Sequence, residues 1–283
     1  MHHVLILGGD PRLLYLSRFL KQEGQNVTSY YQASPSFSLR QAMEDSDTVL
    51  CPIPFTRDGQ TIYSSNRLEG LEIPRFLGHL KKGHTLFGGN IPPSVSAHCE
   101  AASIPCFDFM KMEEVAWNNT VATAEGALAE AITLSPKNLH QSRCLVLGWG
   151  RCAQALASRI SGLNADVTVA GRDKAKLATA CCQNCSTLLL TDLAPALPHF
   201  DFIFNTIPAM VLDASLIRLL DSEAVVIDIA SGHGGVDFEA CNQLGIRAKL
   251  CPGLPGIYAP MASAKILCEA VMERLQERTQ PWN

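Results

Sequence analysis

An α/β protein with two open parallel sheets is predicted by three observations along the 283-residue chain. Short apolar runs recur at the spacing of parallel strands, each followed by a segment long enough for a crossover helix. An alanine-rich stretch, Thr123 to Ile132, interrupts this alternation and opens a second series of runs. That series begins with Cys144-Leu145-Val146-Leu147-Gly148-Trp149-Gly150-Arg151-Cys152-Ala153, an apolar run closing on G-x-G-x-x-A. Strand, glycine turn and helix N-terminus in this order make the second sheet a Rossmann dinucleotide-binding domain. The expected organisation is an N-terminal α/β substrate domain over 1–118, a bridging helix over 119–139, the Rossmann NADP-binding domain over 140–260, and a C-terminal helix over 261–283 returning to the first domain.

In chain order, His3 to Leu7 reads as a strand and Gly8-Gly9-Asp10-Pro11-Arg12 as its turn into a helix. Leu13, Leu14, Leu16, Ser17 and Leu20 then recur at helical spacing. Pro11 suits a first helical turn, and the two glycines stand equally as turn chemistry or as ligand contacts. Further strands are expected at Val27 to Tyr31, Thr48 to Cys51, Thr85 to Phe87 and Pro105 to Phe109. Thr123 is the expected N-cap of the alanine-rich helix. The second domain adds Asp166 to Arg172, Thr187 to Leu190, Phe202 to Phe204, Ala224 to Ile229 and Ile246 to Leu250. The chain then crosses Pro252 to Gly256 as a loop and ends in an amphipathic helix from Ala262 to Arg278.

Composition excludes several classes of partner. At 47% hydrophobic and 18% charged residues the chain reads as globular. A net charge of −4 gives no general attraction to nucleic acid or to an anionic membrane. No apolar run reaches the ~18 residues needed to span a bilayer, and the expected location is cytoplasmic. The 11 cysteines lie scattered through apolar segments and read as reduced thiols. Only Cys181-Cys182-Gln183-Asn184-Cys185 clusters, without the second pair a zinc site needs, so no metal is expected.

Candidate binding residues follow from the rule that ligands sit at the carboxyl ends of strands in open α/β sheets. The glycine turn, Gly148-Trp149-Gly150-Arg151-Cys152, offers backbone N–H groups and a helix dipole to a pyrophosphate. At the end of the next strand stand Gly171-Arg172, with Lys176 one turn on, where an NAD site usually places a carboxylate. Arginine and lysine there suit a 2′-phosphate and therefore NADP over NAD. Asp173 opposes this if it turns to the ribose, and a solvated helix face is the alternative reading of Arg172 and Lys176. The same rule selects Asn205-Thr206-Ile207-Pro208, Ala230-Ser231-Gly232-His233-Gly234-Gly235 and Pro252 to Gly256 for the nicotinamide side. His233 is the one histidine where chemistry is expected, either titrating as acid or base or simply facing water. In the first domain the rule selects Asp10, Arg12, Thr56, Arg57 and Asn90, with Arg12 and Arg57 as carboxylate clamps.

The motifs as a set resemble the A subunits of dipicolinate synthase. They comprise Gly8-Gly9-Asp10-x-Arg12, Thr123-Ala124-Glu125-Gly126, Val146-Leu147-Gly148-x-Gly150-Arg151, Asn205-Thr206-Ile207-Pro208, Ile227-Asp228-x-Ala230-Ser231, Gly234-Gly235-x-Asp237-Phe238 and Pro252-Gly253-Leu254-Pro255-Gly256. The resemblance implies NADP-dependent oxidation of a dihydrodipicolinate, drawn from the diaminopimelate–lysine pathway, to dipicolinate during bacterial sporulation. It also implies a partner in the form of a flavoprotein-like B subunit, with the mother-cell cytoplasm for location, and it leaves a homo-oligomer open. Substrate contacts then extend to Glu125, Gly253, Leu254 and Pro255. Two positions depart from the family pattern. His233 stands where proline is usual, and Ala259-Pro260-Met261-Ala262-Ser263-Ala264 replaces A-P-x-T-A-G, which puts Met261 at a place that can be basic. Two other functions remain open: a nucleotide-binding scaffold that shares catalysis with its partner, and a dehydrogenase of 2-hydroxy or 2-amino acids.

Overall fold

The structure, a computed structural model, describes residues 1–30, 38–66 and 68–279. They form two compact units, one of Met1–Asn118 together with the segment from Ala259 on, the other of Asn119–Tyr258. Each holds a wholly parallel sheet, as the strand–helix alternation predicts.

In the first unit the strands are β1 (His3–Leu7), β2 (Asn26–Tyr30), β3 (Thr48–Leu50), β4 (Thr85–Gly88) and β5 (Cys106–Asp108), in the order β2-β1-β3-β4-β5. Tyr31, expected to end the second strand, lies outside the described residues. The helices are α1 (Pro11–Gln22), α2 (Leu39–Glu44), α3 (Ile73–His79) and α4 (Pro93–Ala101). Both faces of the sheet are covered, which is why β1 reads as an unbroken apolar run. Val4 and Ile6 pack on the side of Leu13, Leu16 and Leu20 of α1, while Leu5 and Leu7 join Phe76 and Val95 on the opposite side. Asp10 caps α1 by accepting from the Arg12 N–H, with Pro11 in the first turn.

The boundary at Asn118/Asn119 falls inside one long helix, α5 (Glu113–Leu134). Thr123 is therefore not its N-cap. It sits in mid-helix, its hydroxyl donating to the Asn119 carbonyl. The alanine-rich composition marks the middle of the helix, because Glu113 to Ala122 contain no glycine or proline to stop it. At the other end Pro136 disfavours helical geometry at Ser135, and the helix stops at Leu134 rather than 139.

The second unit continues with β6 (Arg143–Leu147), α6 (Arg151–Gly162), β7 (Asp166–Gly171), α7 (Lys174–Cys181), β8 (Ser186–Leu189), α8 (Leu193–Ala196), β9 (Phe202–Asn205), α9 (Ala214–Ile217), β10 (Val225–Asp228), α10 (Phe238–Leu244), β11 (Arg247–Leu250) and α11 (Leu254–Tyr258). The strand order is β11-β10-β9-β6-β7-β8. Counted from β6 this is the 3-2-1-4-5-6 order of a Rossmann sheet, and the order reverses between β6 and β9. Cys144 and Val146 point to one core layer, Leu145 and Leu147 to the other.

The Pro252 to Gly256 segment is not wholly a loop, since α11 starts at Leu254 with Pro255 in its first turn. It lies against α5 at Gly126, where an added Cβ would stand 2.9 Å from Tyr258 Cδ2 and 3.0 Å from Leu254 Cβ. The C-terminal helix, α12 (Pro260–Thr279), starts two residues before the expected Ala262 and belongs to the first unit. Ala264, Leu267, Cys268, Val271 and Leu275 pack in the α1 layer.

One buried histidine, His84, gives the first unit an expected pH dependence. The Lys81 N–H donates to His84 Nδ1 at 3.0 Å and His84 Nε2 faces the Met43 carbonyl at 3.0 Å, an arrangement that fixes the neutral ring. Burial, aided by the Lys81 charge, lowers its pKa below 6.5, against the raising effect of the Met43 carbonyl. A depressed folded pKa contributes stability that is present above the unfolded value and lost as pH falls through the folded one. The Tm of the wild-type chain should fall more steeply below pH 6.5 than that of His84→Gln. Parallel Tm–pH curves would remove His84 as the cause.

Candidate dinucleotide site

The glycine turn after β6 has the geometry a pyrophosphate needs. Gly148 adopts φ +97°, which only glycine takes readily, and a Cβ there would stand 2.6 Å from Thr206 Oγ1. Gly150 caps α6 without any side-chain cap, and a Cβ at Gly150 would meet nothing within 4 Å. The first intrahelical bond runs from the Gln154 N–H to the Gly150 carbonyl. The Cys152 and Ala153 N–H groups of the first turn thus precede any intrahelical bonding. An uncapped helix end behind open space fits a dinucleotide pyrophosphate. The Trp149 side chain is turned away from the turn's open side into the core. Its ring is 6% exposed in the core, and Nε1 donates to Thr179 Oγ1 at 2.8 Å.

At the end of β7 the acidic residue is already occupied. The Asp173 carboxylate caps α7, accepting from the Ala175 and Lys176 N–H groups at 2.9 and 3.2 Å. Arg172 and Lys176 are exposed and their side chains have no partner among the described residues. This edge therefore presents Gly171 together with the exposed cations Arg172 and Lys176.

On the other side of the reversal point, the residues expected to touch the cofactor turn out to hold one another. Asn205 is fully buried, with Nδ2 donating to the Asp228 carboxylate and the Ile207 carbonyl, and Oδ1 accepting from the Ile207 N–H. Thr206 Oγ1 donates to the Leu147 carbonyl at 2.8 Å, fastening this loop beside Gly148. Ala230 is buried as well and donates its N–H to Asp228. Pro208, Ser231 and His233 are exposed, and His233 has no partner among the described residues. Asp228 is the residue that sequence reasoning passed over as one more motif letter. Its signal was a carboxylate at the end of an apolar strand, where a buried acid needs donors.

The first-unit candidates separate in the same way. Arg12 is buried, with Nη2 2.6 Å from Asp10 Oδ2, Nε 3.0 Å from Oδ1, and a further bond to the Ile53 carbonyl. It is a structural ion pair, not a free carboxylate clamp, because Asp10 already neutralises it. Gly8 and Gly9 are packing turns: the Gly9 N–H donates to the Tyr63 carbonyl, and a Cβ on Gly8 would stand 2.5 Å from that oxygen. Thr56 bonds within its own loop to Asp58, whose carboxylate three hydroxyl and amide donors from Thr61 and Gln60 hold well below its ordinary pKa. Arg57 is exposed, its guanidinium carbon 3.9 Å over the Tyr63 ring. Asn90 is exposed at φ +54°, with its N–H on Asp108.

Other expected contacts lie apart from the turn. Glu125 is 62% exposed on α5, and Arg159 Nε approaches it to 3.9 Å. Arg159 lies eight residues along α6 from Arg151, about 12 Å from the pyrophosphate end. Leu254 is core, and Gly253 and Pro255 lead into α11. No group of His, Cys, Asp and Glu able to hold a metal occurs among the described residues. Cys181 and Cys182 are exposed, while seven of the cysteines are buried. No helix among the described residues is long and apolar enough to cross a membrane.

Comparison with known proteins agrees with this division. Residues 3–110 match the family model of the N-terminal domain of the dipicolinate synthase A subunit. Residues 143–232 match the model described as NADP oxidoreductase, coenzyme F420-dependent. A D-lactate dehydrogenase from Treponema pallidum shares the fold, with TM-score 0.66 at 15% identity over 99% of this chain and 98% of that one. The crystal structure of the dipicolinate synthase A subunit from Bacillus halodurans superposes with TM-score 0.87 at 27% identity, covering 99% of this chain and 98% of that chain. The A subunit of dipicolinate synthase from Bacillus subtilis strain 168 is 26% identical over 97% of this chain and 96% of its own length. The resemblance read from the motifs thus extends over nearly the whole chain, which is similar in sequence and in structure to the A subunit of dipicolinate synthase.

Proposed function

We propose that this chain is an NADP-dependent oxidoreductase subunit that converts a dihydrodipicolinate to dipicolinate in sporulating bacteria. The observation that carries this reading is similarity to the A subunit of dipicolinate synthase over 97% of the chain, which takes in both units. When bound, the nicotinamide supplies a hydride acceptor, and aromatisation of the substrate ring favours the transfer. The α6 N-terminus holds the pyrophosphate, while Arg172 and Lys176 hold the 2′-phosphate. Arg57 is the exposed cation left to meet a substrate carboxylate in the first unit. The test is NADPH formation, read at its absorbance band, from freshly generated hydroxytetrahydrodipicolinate.

Cofactor choice gives a separate expectation. One charge-assisted arginine–phosphate contact is worth about 1.5–3 kcal/mol. NADP(H) should therefore bind about tenfold or more tighter than NAD(H). Arg172→Ala should remove most of that difference, as read by calorimetric titration of both nucleotides. Equal affinities in the wild type would refute the assignment.

One observation favours sharing the chemistry with a B subunit. Along the loops 205–211 and 229–236 the only ionisable side chain is His233, and Asp228 beneath them is already engaged. A partner that closes over these loops or handles the ring proton would complete the site. Adding a flavoprotein-like B subunit should raise turnover without changing the NADP preference.

A further inference from the structure

Asp228 ends β10 with its side chain fully buried. No ion pair to it exists among the described residues, and its partners are all neutral N–H donors. Oδ1 accepts from Asn205 Nδ2 at 3.0 Å and from the Ala230 N–H at 2.9 Å, and Oδ2 accepts from the Gly235 N–H at 2.6 Å. One carboxylate thus fastens two loops, the one that follows β9 and the one that follows β10.

The glycines around it are shaped by this packing. A Cβ on Gly234 would run into Asp228 Oδ2. A Cβ on Gly235 would run into the Ala209 carbonyl and stand 2.6 Å from that of Ile207. The Gly235 carbonyl in turn accepts from the Val211 and Leu212 N–H groups.

The sheet order says which half of a dinucleotide these loops serve. The pyrophosphate turn follows β6 at the reversal point, and the ribose carrying the 2′-phosphate goes to the end of β7. The other half must extend over β9 and β10, on the opposite side of β6. We propose that Asp228 is a positioning residue that locks the loops 205–208 and 229–235 into the wall of the nicotinamide half-site. This deepens the dinucleotide reading above and rests on it.

The test compares two probes by calorimetry on the full chain: 2′,5′-ADP, which carries the phosphate-bearing half alone, and NADP⁺, which carries both halves. Asp228→Asn replaces one acceptor oxygen by an NH₂ group facing N–H donors. Its affinity for 2′,5′-ADP should stay within about twofold of wild type, while NADP⁺ weakens about tenfold or more toward the 2′,5′-ADP value. Gly235→Ala should reproduce the same split from the opposite direction, by pressing on the 207 and 209 carbonyls while leaving the carboxylate in place. Unchanged NADP⁺ binding in both variants overturns the proposal. So does an equal loss for both probes, which would make Asp228 a support of the whole unit. A wild-type chain that binds NADP⁺ but not 2′,5′-ADP overturns the cofactor placement itself, and this inference with it.

Discussion

Gly150→Val should abolish measurable binding of NADP(H) and NAD(H) while leaving the unfolding temperature of the chain within a few degrees of wild type. Both halves of this expectation come from one fact: a Cβ at Gly150 meets no protein atom within 4 Å. Open space beside an uncapped helix N-terminus is where a pyrophosphate comes closest to the backbone. A branched side chain there excludes the ligand from two or more charge-assisted N–H contacts, each worth about 1.5–3 kcal/mol. The loss is about a hundredfold or more in affinity. Gly148→Ala is the contrasting variant. With φ +97° and Thr206 Oγ1 2.6 Å from the added Cβ, it should lower thermal stability together with binding. Fluorescence titration of NADPH against both variants, beside thermal melts, checks the pair. Wild-type NADPH binding by Gly150→Val would move the pyrophosphate away from this turn.

The contrast between these glycines shows how far the residues alone can be read. Periodicity and strand spacing foretold parallel sheets because a buried parallel strand is an unbroken apolar run, and β1 and β6 are both of that kind. G-x-G-x-x-A marked the turn, since its backbone demands are local. Which side chains reach a ligand was not legible, because that depends on partners distant in sequence. Asn205 looks like a ligand-facing loop residue, yet Asp228, 23 positions away, draws it into the interior. Trp149 sits inside the nucleotide motif and bonds to Thr179, 30 positions on. Gly126 enters the reading only as a letter of a family motif, and it marks a close approach between α5 and α11. Asp173 is the reverse case. One of its carboxylate oxygens caps its own helix, which the local spacing alone could have revealed.

Arg12→Ala should act first on the stability of the first unit rather than on ligand affinity. Arg12 and Asp10 sit two residues apart, with side chains 8% and 17% exposed, and the guanidinium makes a two-point contact to the carboxylate. Removing one member of a buried pair leaves the other charge unpaired, at a cost of about 3–5 kcal/mol. Asp10 is also the cap of α1, so the stranded carboxylate sits at the end of a helix whose Leu13, Leu16 and Leu20 form a core layer. For a unit of this size the loss corresponds to a fall of about 10 °C in Tm. Arg12→Lys should recover only part of it, because an ammonium cannot reproduce the planar fork. The double variant Asp10→Asn with Arg12→Ala should be more stable than Arg12→Ala alone, since it removes the orphaned charge. Denaturant melts of the three variants, paired with calorimetric titration of dipicolinate, separate the two roles of this arginine. Unchanged stability with selective loss of dipicolinate would return Arg12 to the substrate site and leave Asp10 as a cap alone.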